Sequence, residues 1–285
     1  MVPFRLLLLS ILAVLCMSAV PVLVKSTSAN EFTIAVARLI IAVAVMSPLV
    51  LWRKRLSALS RAEWQALVLI GLVFIIHWLT YFLSIKLSTA SIGALAVSTF
   101  GVQYLFLAWL FNGEQSGLVE WLAVLCCLVG CVVVVPEFTL ESGVTQGMLV
   151  GVFAGTLYAC LPLLHQRAKN IDTVTRAWGQ FSFALLFLIP FLGYTDWQLT
   201  TNDYYKLLTL GILSTVIAHG LWVKVSTELP AVFTSLVYYL YVPMAMVSSA
   251  WFLDEEMTGR KVIGAILILG SSAWITFYRW RKSAY

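Results

Sequence analysis

Charge is what this sequence has least of. Asp, Glu, Lys and Arg make up 11% of its 285 residues, while 61% are apolar and the mean hydropathy is +0.94. Soluble domains carry about 25% charged residues, so a water-facing surface cannot be built from this chain and a lipid environment is implied. The five cysteines all lie within apolar runs, which argues against disulfides. Cys127 and Cys131 stand one helical turn apart, but no His or further Cys is near enough in sequence to complete a four-ligand site. They read as inert thiols, and no metal or other cofactor is expected. A phosphate-binding glycine loop of the Walker type is missing, which removes ATP as a direct driver. No Asp or Glu lies deep in an apolar run, which leaves His77 and His219 as the candidates for carrying a proton. Long polar stretches are absent too, so a sensor or scaffold with a soluble output domain is disfavoured. The formal charge of +5 is to be read loop by loop and does not signal nucleic acid.

What is present is a series of apolar runs. A helix needs about 20 apolar residues to cross the hydrocarbon core. Ten runs qualify, at approximately 4–24, 32–52, 64–85, 89–111, 118–135, 146–166, 174–194, 204–225, 230–252 and 260–279. They predict an all-α integral membrane fold, since backbone in lipid must satisfy its own hydrogen bonds. Period-two alternation, the mark of a barrel, is lacking. The first run resembles a secretory signal, but a small-x-small cleavage site is missing, and it is taken as a permanent helix. With the N-terminus in the cytoplasm, the inner side holds 12 Lys and Arg, among them Arg53, Lys54 and Arg55, and the outer side five. This bias predicts a cell (inner) membrane protein with both termini cytoplasmic.

The chain also repeats itself. "LFNGEQSG" (110–117) aligns with "WFLDEEMT" (251–258), pairing Glu114 with Glu255 at an offset of 141. The same offset pairs Pro21 with Pro162, Tyr81 with Trp222, Ala90 with Ala231 and Leu95 with Leu236. A near-constant offset along most of the chain is the mark of duplication. It divides the protein into five-helix halves at 1–137 and 138–285. Five is odd, so the halves are expected to be inverted. Inverted repeats suit a secondary transporter, because they close one central site in two mirror-related ways. The triplet Asp254, Glu255 and Glu256 is then expected to sit in a turn, near the N-terminus of the last helix.

The segments "TYFLSIKLSTASIGALAVSTFGVQYLFLAWLFNGE" (80–114) and "LWVKVSTELPAVFTSLVYYLYVPMAMVSSAWFLDEE" (221–256) carry a family likeness. They resemble the drug/metabolite transporter superfamily, and EamA-type members in particular: an aromatic residue, a small-residue helix start, a mid-helix proline and a terminal Glu. Pro243 supplies the proline in the second half. Val102 replaces it in the first, where a straighter helix is expected. The resemblance implies ten helices and export or exchange of small metabolites such as amino acids.

Polar groups inside apolar runs are costly and mark function by default. Thr215, His219, Trp222 and Ser226 form one helical stripe, and the repeat pairs His219 and Trp222 with Trp78 and Tyr81, beside His77. Thr99 and Gln103 follow the small-residue start of the fourth helix. Tyr238, Tyr239 and Tyr241 cannot all face one way, and Tyr239 is chosen because it shares a face with Ser235 and Val242. Tyr158, ahead of Pro162, completes the aromatic set. Arg38, seven residues into the second run, is the sharpest candidate, as a guanidinium there can clamp a carboxylate; pairing with Glu31 at the interface is the alternative. Its repeat partner is Gln180, near Trp178. The expected partners are a small-molecule substrate and the bilayer, with no nucleic acid, and an apolar exterior that fits a monomer or a homodimer. Two rival readings are a multidrug or cationic-compound exporter and an intramembrane enzyme, although no nucleophile stands beside a base.

Overall fold

In the computed structural model of the chain, the described residues are 4–52, 56, 59–112, 117–137, 139–228 and 237–283. Arg53, Lys54, Arg55, Glu114, Ala231, Ser235 and Leu236 lie outside them. The described residues form helices and no strand. In chain order these are α1 (Phe4–Ser18), α2 (Val20–Ser26), α3 (Glu31–Trp52), α4 (Arg61–Leu87), α5 (Ala90–Ser98), α6 (Phe100–Asn112), α7 (Leu118–Val134), α8 (Gly143–Arg167), α9 (Thr173–Leu188), α10 (Thr201–Thr209), α11 (Ala218–Glu228), α12 (Tyr241–Leu253) and α13 (Gly259–Ser283). A 3₁₀ turn, Ile189–Tyr194, extends α9, and a π-helical stretch, Leu210–Ile217, joins α10 to α11.

Seven of these helical segments are long and apolar enough to cross a membrane, counting α1–α2 and α10–α11 as one each. The other expected spans are shorter. Among the described residues Trp121–Val134 and Tyr241–Leu253 are shorter apolar helices, the ninth run being described only from residue 237, and the fourth run is divided at Thr99 into α5 and α6. The interruption falls three residues before Val102, which stands where the second half has Pro243. The hydroxyls of Ser98 and Thr99 bond back to the carbonyls of Leu95 and Ala96, both at 2.7 Å, which competes with the helical ladder. Pro162, by contrast, sits within an unbroken α8, and Pro21 stands at the start of α2, where its missing N–H costs nothing.

Helix starts are written in polar residues. Ser60 and Glu63 form a reciprocal capping box on α4, as Thr200 and Asp203 do on α10, 140 residues later. Asn30 accepts from the Thr33 amide ahead of α3, and Asp172 from the Thr175 amide ahead of α9, 142 residues later. α4 packs on α8 and α9, α3 on α9, and α7 on α13.

One end of the bundle is tied by polar contacts. Lys25 donates to the carbonyls of Ile85 (3.1 Å), Lys86 (3.0 Å) and Ser88 (2.5 Å) at the end of α4. Lys86 donates to the Thr27 carbonyl and Lys206 to that of Ser26, both at 2.5 Å. Asp203 accepts from the Thr27 hydroxyl at 2.9 Å and from the Ser28 amide at 3.0 Å. Glu255 lies, as expected, in the turn before the last helix, 3.6 Å from Lys261 of its first turn. From there it reaches across to cap α5, accepting from the Ala90 amide (2.6 Å), the Ser91 amide (3.2 Å) and the Ser91 hydroxyl. Asp254, in the left-handed conformation at φ 52°, ends α12 and turns the chain toward α5. Partial burial acts to raise the Glu255 carboxyl, but the bonds from Ser91 and Ala90, aided by Lys261, prevail and hold it below its usual value.

A carboxyl depressed on folding gives stability that is full above its unfolded value and is lost as pH falls through the folded one. Glu255→Ala should therefore destabilise the purified protein by about 2 kcal/mol near neutrality. In a thermal-unfolding series, the gap between native protein and Glu255→Gln should shrink as pH drops below about 4.3, the ordinary glutamate value.

Candidate functional site

Arg38 lies two turns into α3 and is 0% exposed. Its Nε donates to the Thr215 hydroxyl at 2.9 Å. Thr215 stands in the π-helical stretch, and its own hydrogen goes to the Leu210 carbonyl, five residues back, at 2.8 Å. With its hydrogen so used, the Thr215 oxygen faces the guanidinium as an acceptor; widened turns of this kind recur at functional sites. Trp78 lies against the flat face, 4.0 Å from the guanidinium carbon to the ring centroid, and Phe82 at 5.2 Å. Such contacts return part of the cost of removing the cation from water. Nη1 and Nη2 are buried with no protein partner. With Nε occupied, the edge left for a ligand is the Nη1–Nη2 fork, which matches the two oxygens of a carboxylate.

Beside Arg38 is a void of about 20 Å³, lined also by His77, Trp78, Tyr81, Tyr158, His219, Tyr238 and Tyr241. That is room for one water, so the side chains are closed around the site. His77 is oriented by its Nδ1, 2.9 Å from the Ala154 carbonyl. A carbonyl can only accept, so Nδ1 carries the hydrogen and Nε2 of the neutral ring is an acceptor. The His77 ring stacks on Tyr81 and on Tyr158, with centroids 5.9 and 4.9 Å away. The hydroxyls of Tyr81 and Tyr241 bond to each other across the two halves.

A second void, of about 10 Å³, adjoins the first through Tyr158 and His219, which line both. Its other walls include Phe74, His165, Gln180, Trp222 and Ser226. His165 Nε2 lies 2.8 Å from Gln180 Oε1. Arg176 braces this pair by donating to the His165 carbonyl at 2.7 Å and to the Thr227 hydroxyl at 3.2 Å.

Of the residues singled out from sequence, the first void gathers Arg38, His77, Trp78, Tyr81, Tyr158 and His219, and the second adds Gln180 and Trp222. Thr215 touches Arg38 and lines neither void. Thr99 and Gln103 lie elsewhere, facing Gly155 of α8, where a Cβ would collide with both; Gln103 also donates to the Val152 carbonyl at 2.8 Å. Trp178 ties α9 to α3 through Ser47, at 3.0 Å. Tyr239, chosen over its neighbours, turns away toward Gly101 and Ser272, while Tyr238 and Tyr241 face the void and stack at 5.4 Å. The cause is the turn at Tyr239–Leu240 just before α12, which resets the helical phase. Arg38 makes no bond to Glu31. His165 escaped notice because it closes an apolar run, three residues past Pro162, where a polar residue looks like a helix end.

The profile of the EamA-like transporter family matches the chain twice, at residues 4–135 and 143–277. An uncharacterized transporter of Archaeoglobus fulgidus is 27% identical over 252 residues, 84% of this chain and 86% of that protein. A protein of known crystal structure shares the fold with a TM-score of 0.69 at 18% identity, over 97% of this chain and 98% of the other. With seven apolar helical segments of spanning length among the described residues and both halves matched, the chain belongs to the EamA-like transporter family and is a multi-pass membrane transporter.

Proposed function

We propose that this transporter is a secondary carrier that exports or exchanges amino acids or related small organic compounds bearing a carboxylate. The observation that carries the reading is Arg38: a fully buried guanidinium whose Nη1 and Nη2 have no protein partner, at the wall of a central aromatic void. A substrate carboxylate supplies the two acceptors that this fork lacks. The surrounding rings shield the pair from water, which strengthens it. A cationic drug would meet like charge at the same place, so the aromatic walls alone do not favour a multidrug exporter.

Alternating access between two inverted five-helix halves, 1–137 and 138–285, is the mechanism we assign. It is supported by the recurrence of helix caps at offsets of 140 and 142. It is also supported by polar ties at one end, which join residues 26–28 and 90–91 of the first half to Asp203, Lys206 and Glu255 of the second. The arrangement reads as a state closed at that end. Loading an anion neutralises the buried cation, and switching then carries a neutral pair across the bilayer centre. The bias of 12 Lys and Arg against five supports a tied end outside and both termini in the cytoplasm of an inner-membrane protein.

The test is counterflow in proteoliposomes with labelled amino acids, organic acids and cationic drugs. Carboxylates should be carried, and Arg38→Gln should lower their kcat/KM by roughly a hundredfold or more, as for loss of one partner of a buried charged pair. Full transport by this variant would defeat the carboxylate reading. Thr215→Val removes the acceptor that orients Arg38 and should raise KM about tenfold, in line with the loss of one buried hydrogen bond. Thr215→Ser, which keeps the hydroxyl, should restore it.

A further inference from the structure

At the tied end, one link between the halves is centred on Asp203. As the third residue of α10 it closes the capping box with Thr200. Its carboxylate also accepts from the Thr27 hydroxyl (2.9 Å), the Ser28 amide (3.0 Å) and the Ser28 hydroxyl (2.8 Å). Thr27 is the residue that caps the end of α2. The repeat gives each partner a counterpart. Glu63 is the third residue of α4 and closes the capping box with Ser60, 140 residues before Asp203. Ala168 caps the end of α8, 141 residues after Thr27, and Lys169 follows it as Ser28 follows Thr27.

Helix packing brings these counterparts to one place. α4 finishes at the tied end and α8 starts there, so the two run antiparallel. The Ser84 hydroxyl donates to the Gly147 carbonyl at 2.6 Å, and His77 Nδ1 to the Ala154 carbonyl at 2.9 Å. The same register, continued along both helices, sets Glu63 opposite Ala168, at the end away from the ties. No bond joins Glu63 to Lys169 in this state. The Glu63 carboxylate accepts from the Ser60 amide and hydroxyl, both at 2.8 Å. The Lys169 side chain is exposed and has no partner among the described residues. Its ammonium could donate to Glu63 as the Thr27 and Ser28 hydroxyls donate to Asp203.

We infer that Glu63 and Lys169 are the latch of the opposite end, an ion pair that forms when the tied end opens and is broken in the state described above. This rests on the alternating-access reading and names a contact which that reading requires. In a carrier built from inverted halves, the contact that closes one side is the repeat-related copy of the contact that closes the other. An ion pair between solvent-facing side chains is weakly held, which suits a contact that breaks once in every cycle.

Cysteine pairs test this in proteoliposomes, in a full-length chain whose five native cysteines are replaced by alanine. The probe is a short bifunctional methanethiosulfonate, with the links read by mass spectrometry. Glu63→Cys with Lys169→Cys should link about fivefold faster once Thr27→Val and Ser28→Ala loosen the tied end. It should link about fivefold more slowly once Thr27→Cys with Asp203→Cys has been linked first. Equal rates with the tied end locked and loosened would overturn the latch. Charge is tested without cysteines, by counterflow. Lys169→Glu should slow it about fivefold, and Lys169→Arg should leave it within about twofold of native. Glu63→Gln keeps the cap of α4 and removes the charge, so adding it should relieve Lys169→Glu. Native rates in Lys169→Glu would also overturn the latch. Carboxylate counterflow with linking rates indifferent to the tied end keeps the carboxylate reading and sinks the latch. Rates coupled as expected, in a protein that carries no carboxylate, do the reverse.

Discussion

A cation buried among rings is the constraint around which the centre of this molecule is arranged. Removing a guanidinium from water without an acidic partner costs several kcal/mol, and Arg38 has no hydrogen-bonded carboxylate. Three features offset part of that cost. The π-helical stretch lends the Thr215 lone pair, Trp78 lends its face, and Phe82 lends a second ring. What they leave over is directional, since two nitrogens lie along one edge of the group. The same features that make Arg38 tolerable also decide how a ligand meets it.

Around that centre the two halves contribute unequally. Tyr81 from the first and Tyr241 from the second meet hydroxyl to hydroxyl. His77 and Tyr158 come from α4 and α8, which pack along their lengths. At the positions related by the repeat, however, the first half offers a charge and the second an amide. A duplicated scaffold has thus acquired a polar direction.

Much of the scaffold was legible in the sequence. Apolar runs located the helices, and the repeat was readable from the near-constant offset of pairs such as Pro21 with Pro162 and Tyr81 with Trp222, although the paired residues do not share one packing. Arg38 stood out because charge inside an apolar run is rare for a stated energetic reason. What stayed hidden depends on tertiary context. A π-helical turn has no composition of its own, so the role of Thr215 could not be read from spacing. The phase of Tyr238, Tyr239 and Tyr241 was misjudged because a turn precedes α12. Glu255 was assigned to the nearest helix in sequence, whereas the amides it satisfies belong to α5, 165 residues away. His165 was passed over because a histidine at the edge of an apolar run looks like an interfacial residue until its Gln180 partner is seen.

The three carbonyls that meet at Lys25 bear on how this protein tolerates change. An ammonium is compact and can send its three hydrogens to three convergent oxygens, whereas a guanidinium is flat and presents its donors in a fixed plane. At that corner a lysine-to-arginine exchange, which by charge alone would pass as neutral, would leave at least one helix-terminal carbonyl unsatisfied and push apart the two turns it joins. Here residue geometry, more than charge, sets which substitutions the bundle accepts.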